Sequence, residues 1–202
     1  MPYTVREIFH SLQGEGVQAG RPAVFLRFSG CNLWSGREED RAAAACRFCD
    51  TDFVGGEKYP DAQALAGAVR NVGGATRTVV VTGGEPGLQL DAALVAALHG
   101  LGFEVAVETN GTVDLPPGID WVCVSPKAGT TLKVTRGDEL KLVFPQAGAA
   151  PETFEHLDFT HFLVQPMDGP ERDANTRAAI AHCLTRPRWR LSLQTHKIVG
   201  IP

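Results

Sequence analysis

Short apolar runs alternate along the chain with stretches of helical periodicity. The runs are rich in β-branched residues, which is typical of buried parallel strands. Seven strands are predicted, at 23–28, 78–82, 104–109, 121–124, 140–144, 162–165 and 190–194. Amphipathic spacing predicts helices over 61–71, 91–101 and 175–186, with Asp61 and Asp91 as N-caps and Gly102 as a stop signal.

Strands that alternate with helices indicate an α/β fold with a largely parallel sheet. The segment between the strands at 104–109 and 121–124 is short and contains glycine and proline, so it is expected to be a loop. A complete eight-unit barrel needs about 250 residues, and this chain has 202. We therefore expect one domain, 1–202, built as a partial (β/α) barrel with shortened crossovers.

Polar clusters follow five of the predicted strands. In parallel sheets, ligands bind at the carboxyl ends of the strands, so these clusters are expected to form one site. They are Ser29-Gly30-Cys31, Thr82-Gly83-Gly84-Glu85-Pro86, Glu108-Thr109-Asn110-Gly111, Ser125-Pro126-Lys127 and Gln165-Pro166-Met167-Asp168.

Composition and charge narrow the possible partners. Hydrophobic residues make up 44% and charged residues 21%, as in globular proteins. The formal net charge of −4 gives no support for a nucleic-acid or membrane partner. No apolar run approaches the roughly 20 residues that span a bilayer, and the N-terminus lacks a signal-peptide pattern. A cytoplasmic location is expected.

Three of the five cysteines lie close together in sequence. Fourteen residues separate Cys31 from Cys46, and two separate Cys46 from Cys49. Three thiolates suit an iron–sulfur cluster with one iron left open. A structural zinc site would need a fourth ligand, and a redox Cys-x-x-Cys pair would leave Cys31 unexplained. The spacing alone leaves all three interpretations open, while Cys123 and Cys183 are interpreted as core residues.

Several motifs resemble those of one enzyme family. Cys46-Arg47-Phe48-Cys49 and Gly83-Gly84-Glu85-Pro86 resemble the signatures of the radical S-adenosylmethionine (SAM) superfamily. The usual signature has three residues between the first two cysteines, and the insert at 32–45 is similar to the expanded spacing in one branch of the 7-carboxy-7-deazaguanine synthases. Further motifs from residue 11 to the C-terminus match that family, including Ser11-Leu12-Gln13-Gly14-Glu15-Gly16, Phe25–Trp34, Cys49-Asp50-Thr51 and Gln194-Thr195-His196-Lys197.

The resemblance implies a 4Fe–4S cluster on Cys31, Cys46 and Cys49, with SAM on the open iron. Gly84 would let the backbone approach the cofactor closely, since it lacks a side chain. The remaining cofactor-binding residues implied by the resemblance are Phe48, Cys49, Asp50, Ser125, Pro126, Lys127, Gln165, Pro166, Met167 and Asp168.

The family's reaction is a ring contraction of 6-carboxy-5,6,7,8-tetrahydropterin with loss of ammonia, on the route to queuosine. Arg27 offers a planar fork for the substrate carboxylate. Thr51 would contact a Mg²⁺ ion that also needs oxygens from substrate and water. The other implied substrate-binding residues are Leu12, Gln13, Gly14, Thr82, His196 and the terminal carboxylate of Pro202.

The resemblance also implies a homodimer and an electron donor such as flavodoxin or ferredoxin. Two other interpretations compete with the synthase. A radical SAM activase of a glycyl-radical enzyme shares the cluster but binds a protein. A zinc-binding interaction module would carry out no catalysis. The motifs at 11–16 and 194–197 favour the synthase.

Overall fold

The computed structural model describes residues 2–202, which contain nine β-strands and four α-helices. The strands are β1 (Tyr3–Leu12), β2 (Pro22–Phe28), β3 (Glu57–Tyr59), β4 (Thr78–Gly83), β5 (Glu104–Thr109), β6 (Trp121–Val124), β7 (Arg136–Phe144), β8 (Asp158–Pro166) and β9 (Trp189–Leu191). The helices are α1 (Ala62–Gly73), α2 (Ala92–Gly100), α3 (Arg172–Thr185) and α4 (Thr195–Val199).

All nine strands belong to one sheet with the order β3-β1-β2-β4-β5-β6-β7-β8-β9. Neighbours from β2 to β9 pair in parallel, and β1 pairs antiparallel with both β2 and β3. The order is linear, so β3 and β9 are the two edges of an open sheet. The prediction of a largely parallel α/β fold of the partial-barrel type is confirmed.

The predicted elements agree with the structure where apolar runs are continuous. The seven predicted strands correspond to β2 and β4–β9, although β7 and β8 begin four residues earlier than expected and β9 ends at Leu191. Asp61 and Asp91 cap α1 and α2, because each carboxylate accepts a hydrogen bond from the backbone three residues on. The chain leaves α2 at Leu101, and Gly102 follows with a φ of +77°.

Three elements were not predicted. β1 was missed because it contains no continuous apolar run and its register shifts between Val5 and Glu7, which breaks the alternation of apolar and polar residues. β3 has three residues and α4 has five, which are too short for a periodic signal. β3 and β1 extend the sheet at its β2 side, while β1 and α4 contribute residues to the cavity described below.

The two faces of the sheet differ in chemistry because strand side chains alternate. One face carries aliphatic residues such as Leu26, Val81 and Val107, which pack with α1 and α2. Further along the sheet the same face carries Leu140, Leu142 and Val164, which pack with Ala179 of α3. The opposite face is concave and carries the polar residues that form the site. No helix in residues 2–202 is long and apolar enough to cross a membrane.

Candidate active site

A cavity of about 520 Å³ lies against the concave face of the sheet. This volume is within the range of about 300–1,000 Å³ that is usual for small-molecule sites. The strands contribute alternate side chains to its wall, from Arg27 of β2 to Gln165 of β8. The five polar clusters that follow the strands all contribute residues to this single cavity, as the sequence predicted.

Nearly all of the predicted site residues line the cavity. They are Leu12, Gln13, Gly14, Arg27, Cys31, Cys46, Phe48, Cys49, Asp50, Thr51, Thr82, Gly84, Ser125, Lys127, Gln165, Pro166, Met167, Asp168, His196 and Pro202. Pro126 lies outside this lining, and its carbonyl accepts a hydrogen bond from Gln146 Nε2 at 3.3 Å. The observed position of Pro126 thus fits the turn between Ser125 and Lys127, whereas its predicted cofactor contact stays a prediction.

The three clustered cysteines come together on one wall of the cavity. A hydrogen bond from the Cys46 thiol lowers the pKa of Cys49 to about 6 and raises that of Cys46. Burial raises the pKa of Cys31, and the charges of Glu85 and Cys49 add to this rise. All three thiols line the same cavity, even though fourteen residues separate Cys31 from Cys46 in the sequence.

A single metal ion and an iron–sulfur cluster need different placements of the three thiols. Within residues 2–202, no group of three or more histidine, cysteine or acidic side chains is placed to hold one metal ion. A tetrahedral zinc site needs such convergence, with each sulfur about 2.3 Å from the metal. In an iron–sulfur cluster each thiolate binds a different iron, so its ligands can be further apart.

Gly84 is small because the protein itself packs against it. A Cβ atom there would be 2.2 Å from Gly30 O and 2.7 Å from Cys31 Cβ. The adjacent Glu85 N donates to the same Gly30 oxygen at 2.9 Å. Close approach at Gly84 therefore positions the loop of the first cysteine, a role that the sequence did not suggest.

Glu85 holds the ends of two strands together. It is fully buried, and it accepts hydrogen bonds from Gly87 N (2.8 Å), Thr109 Oγ1 (2.7 Å) and Asn110 N (2.8 Å). Burial raises its pKa, while these three donors favour the ionised form. The carboxylate thus links the loop after β4 to the loop after β5.

Lys127 and Ser125 form a small cationic element beside the cysteines. Lys127 Nζ donates to Ser125 O at 2.6 Å and to Ser125 Oγ at 2.8 Å, and it lies 6.0 Å from the ring centroid of Phe48. Burial lowers the pKa of Lys127, although the nearby Cys46 and Cys49 raise it. A positive group at this position suits an anionic ligand.

A buried lysine that the sequence analysis missed lies under the cavity. Lys141 is 4% exposed, and its ammonium group lies 2.7 Å from Glu15 Oε2 and 3.3 Å from Glu108 Oε1. Glu108 Oε1 also accepts from Gln13 Nε2 at 2.8 Å, and Glu15 accepts from Gln194 Nε2 at 2.8 Å. One cation thus joins the strands β5 and β7 to the loop that follows β1.

The ammonium group of Lys141 keeps Glu15 ionised. Burial opposes the charge on Glu15, but the ammonium charge of Lys141 and hydrogen bonds from Lys141, Gln194 and Gln165 outweigh it and lower its pKa to about 2. The same carboxylates raise the pKa of Lys141, although burial alone would lower it. The pair is therefore ionised at neutral pH.

Arg27 is oriented by a carboxylate on the neighbouring strand. Its Nε donates to Glu7 Oε1 at 2.7 Å, and the guanidinium lies 5.9 Å from the ring centroid of Phe9. In residues 2–202 no hydrogen bond engages its two terminal nitrogens. Arg27 pairs in register with Thr82 of β4, so both predicted substrate residues lie on one wall.

The C-terminal segment packs against the loop that follows β1. Thr195 N donates to Gly14 O at 2.8 Å, and Ser11 Oγ donates to Pro202 O at 2.8 Å. A Cβ atom on Gly14 would be 2.2 Å from His196 Nδ1, so the glycine allows the two segments to touch. The segments at 11–16 and 194–202, far apart in sequence, thus form one edge of the cavity.

Lys197 connects this edge to the cysteine wall. Its ammonium group lies 2.5 Å from Asp50 Oδ2 and 2.6 Å from Asp168 Oδ2. Asp50 follows Cys49, and Asp168 lies in the loop after β8. The motif at 194–197 therefore contributes a bridge between three parts of the site, beyond the role predicted for His196.

Comparisons with known proteins agree with this geometry. The chain is 63% identical to a 7-carboxy-7-deazaguanine synthase of Bordetella pertussis and 62% identical to one of Caulobacter vibrioides, each over the whole of both chains. A synthase of the same name from Bacteroides thetaiotaomicron is 44% identical and covers 98% of this chain and 97% of its own length. No family model matches the chain.

A solved structure has the same fold. The crystal structure of QueE from Escherichia coli has a TM-score of 0.76 and 29% identity, over 97% of this chain and 95% of that one. The sequence identities of 63% and 62% extend over the full length of the chain. The three thiols and five strand-end clusters around one cavity agree with them. The chain belongs to the 7-carboxy-7-deazaguanine synthase family.

Proposed function

We propose that this protein converts 6-carboxy-5,6,7,8-tetrahydropterin to 7-carboxy-7-deazaguanine, with loss of ammonia, as a radical SAM enzyme. The whole chain, 1–202, would act as one radical SAM domain with an insert at about 32–45. The observation that carries this proposal is the meeting of Cys31, Cys46 and Cys49 on the wall of a cavity that is otherwise lined by polar strand-end residues. Membership of the synthase family supports the choice of substrate.

In this proposal the three cysteines hold a 4Fe–4S cluster, and SAM binds beside it. Together they supply, when bound, the one-electron chemistry that removes a hydrogen atom from the substrate. The chain's own residues bind and orient. Lys127 provides positive charge next to Cys46 and Cys49, and Asp50 and Asp168 are fixed by Lys197 where they can accept hydrogen bonds from the cofactor.

The substrate's carboxylate and its pterin edge need different partners. Arg27 has two free terminal nitrogens directed by the contact with Glu7, and these suit a carboxylate. The ammonium group of Lys141 holds Glu15 directly and Gln13 through Glu108, so the segment at 12–14 keeps a fixed position on the cavity wall, where the pterin would bind. Fixed partners of this kind orient a substrate without reorganisation when it reacts.

Thr51 and a Mg²⁺ ion complete the proposed substrate site. Thr51 lines the cavity, but a single hydroxyl is a weak site because Mg²⁺ takes six oxygen ligands. Substrate and water would supply the remaining ligands. We therefore expect Mg²⁺ to bind well only when the pterin is present, and tight binding to the free protein would contradict this part.

Two partners belong to the proposal. An electron donor such as flavodoxin or ferredoxin would reduce the cluster, and the chain would form a homodimer. The exposed apolar residues Ile198 and Val199 on α4 lie beside the cavity edge and offer a surface for a second copy. Sedimentation at twice the chain mass would support the dimer, and a monomer at assay concentrations would refute it.

An anaerobic assay tests the function. The reconstituted protein is given SAM, Mg²⁺, dithionite and the pterin, and the expected product is 7-carboxy-7-deazaguanine. Arg27→Met should raise KM for the pterin about tenfold or more, because a charge-assisted contact is lost. Arg136→Met is the matched control, since Arg136 is exposed at the first residue of β7 and does not line the cavity. A protein that loads iron and binds SAM but leaves the pterin unchanged would refute the assignment.

A further inference from the structure

The insert at 32–45 places one arginine against the backbone of the Cys46–Cys49 loop. Arg41 Nη1 donates to Arg47 O at 2.9 Å and to Cys49 O at 3.0 Å. Among residues 2–202, these are the hydrogen bonds that the two carbonyl oxygens accept. A single guanidinium nitrogen therefore joins two points of the loop, one on either side of Phe48.

Arg41 is itself held on two sides. Its Nε donates to both carboxylate oxygens of Glu38 at 2.8 Å, and its Cζ lies 4.1 Å from the ring centroid of Trp34. Trp34 is 8% exposed, meets Phe53 edge-on at 5.6 Å and donates from Nε1 to Arg37 O at 3.0 Å. The stack thus fixes Arg41 on a ring that is anchored in the protein.

The 3₁₀ helix that carries Arg41 is otherwise exposed to solvent. The 3₁₀ helix Glu38–Ala43 buries none of its residues. Arg37, the other arginine of the insert, is 71% exposed and makes a 3.8 Å ion pair with Glu39. The 3₁₀ helix of the insert is therefore a solvated segment, and Arg41 is the side chain that it directs to the cysteine loop.

We propose that Arg41 is a positioning residue, which sets the backbone of the Cys46–Cys49 loop so that its thiols can hold the cluster. Lysine would not replace it fully. A planar guanidinium can donate to the loop, pair with Glu38 and stack on Trp34 at once, whereas an ammonium group has no plane to stack. The cluster itself rests on the proposed function, but the contacts of Arg41 are properties of the chain alone.

The first test needs no metal. Cys46 is 6% exposed. In the cofactor-free protein, the rate at which iodoacetamide alkylates Cys46 is measured by mass spectrometry, with Cys183 as the internal reference. Arg41→Met should speed alkylation of Cys46 about tenfold, since two charge-assisted hydrogen bonds are lost. Arg41→Lys should give a smaller increase, and Arg37→Met should leave the rate unchanged.

The second test follows the cluster. Each variant is reconstituted without oxygen, and the rate of iron loss to a chelator is measured. Removing residues that support metal ligands usually costs about 10–100-fold in affinity, so Arg41→Met should lose iron about tenfold faster than Arg37→Met. Arg41→Lys should fall between them, and the melting temperature of cofactor-free Arg41→Met should lie at most about 5 °C below that of Arg37→Met, the shift that a tenfold effect gives in a chain of this size.

Equal alkylation and iron loss in Arg41→Met and Arg37→Met would overturn the proposal. A melting temperature for Arg41→Met well below that of Arg37→Met would also overturn it, because the role would then be general stability. If the unmodified protein loads no iron, the proposed function fails, and the alkylation rates still decide the role of Arg41.

Discussion

At the scale of single residues, the buried charge of Lys141 holds two carboxylates in place on the cavity side of the sheet. Its ammonium group is buried and lies against Glu15 and Glu108, each of which holds a further side chain. A buried ion pair adds little stability in itself, but removal of one partner leaves the other charge without compensation.

Lys141→Met should therefore lower the free energy of unfolding by about 3–5 kcal/mol. Lys133→Met is the matched control, because Lys133 makes an exposed 3.2 Å pair with Asp114, and such pairs contribute about 0–1 kcal/mol. Urea unfolding of the cofactor-free protein measures both. A loss for Lys141→Met no larger than for Lys133→Met would contradict the role given to this residue.

The pH dependence of stability provides a separate check on Glu15. Its pKa is lowered to about 2 in the folded protein, against about 4.3 in an unfolded chain. A lowered carboxyl pKa contributes stability that is fully present above the unfolded value and is lost as the pH falls through the folded value.

We expect the unmodified protein to be more stable than Glu15→Gln at pH 6, and the difference to shrink between about pH 4.3 and pH 2. Unfolding in urea at several pH values measures the difference, and the paired comparison cancels other carboxylates. A difference that stays constant over this range would show that Glu15 does not titrate as the geometry implies.

One sequence pattern indicates on which face of its strand Lys141 lies. The stretch Glu139-Leu140-Lys141-Leu142 alternates polar and apolar residues, and such alternation places the polar side chains on one face of a strand. The predicted strand at 140–144 contains Lys141, but it leaves out Glu139, with which this alternation begins. Its partner Glu15 could not be inferred, because the contact joins residues 126 positions apart.

At the scale of elements, the turn after β4 controls the first cysteine. Gly84 packs against Gly30 and Cys31, and Glu85 ties the same turn to the end of β5. The sequence predicted that Gly84 would lie in the site, and it does. The structure adds a second reason for a glycine here, since the chain's own backbone lies next to it, and the predicted approach to the cofactor stays a prediction.

Gly84→Ala should displace the loop of Cys31 and reduce the iron retained after reconstitution. The added Cβ would be 2.2 Å from Gly30 O, which is backbone and cannot turn away. Gly67→Ala in α1 is the control, because nothing lies within 4 Å of that Cβ. We expect this control to gain about 0.5–1 kcal/mol in stability and to keep its iron content, and equal iron in both variants would contradict the role of the turn.

At the scale of the whole molecule, the sequence predicted the fold well where contacts are local. Helix caps at Asp61 and Asp91 and the runs of β2 and β4–β6 are set by neighbours in the chain. The edge made by 11–16 and 194–202 could not be predicted by periodicity, because it depends on contacts between the two ends of the chain. The family resemblance predicted which residues of that edge belong to the site, but it did not predict the hydrogen bonds that join its two segments.

We expect Cys31, Cys46 and Cys49 together to hold one iron–sulfur cluster. Cys31 tests it best, because the long insert separates it from the other two thiols. Cys183→Ala is the matched control, since Cys183 lies on α3, outside the cavity lining.

The most direct measurement is the iron and acid-labile sulfide content of anaerobically purified protein, compared with its Cys31→Ala and Cys183→Ala variants. A 4Fe–4S cluster predicts about four irons and four sulfides per chain for the unmodified protein and Cys183→Ala, and a severe loss for Cys31→Ala. One zinc and no iron per chain, or a full cluster in Cys31→Ala, would contradict the account.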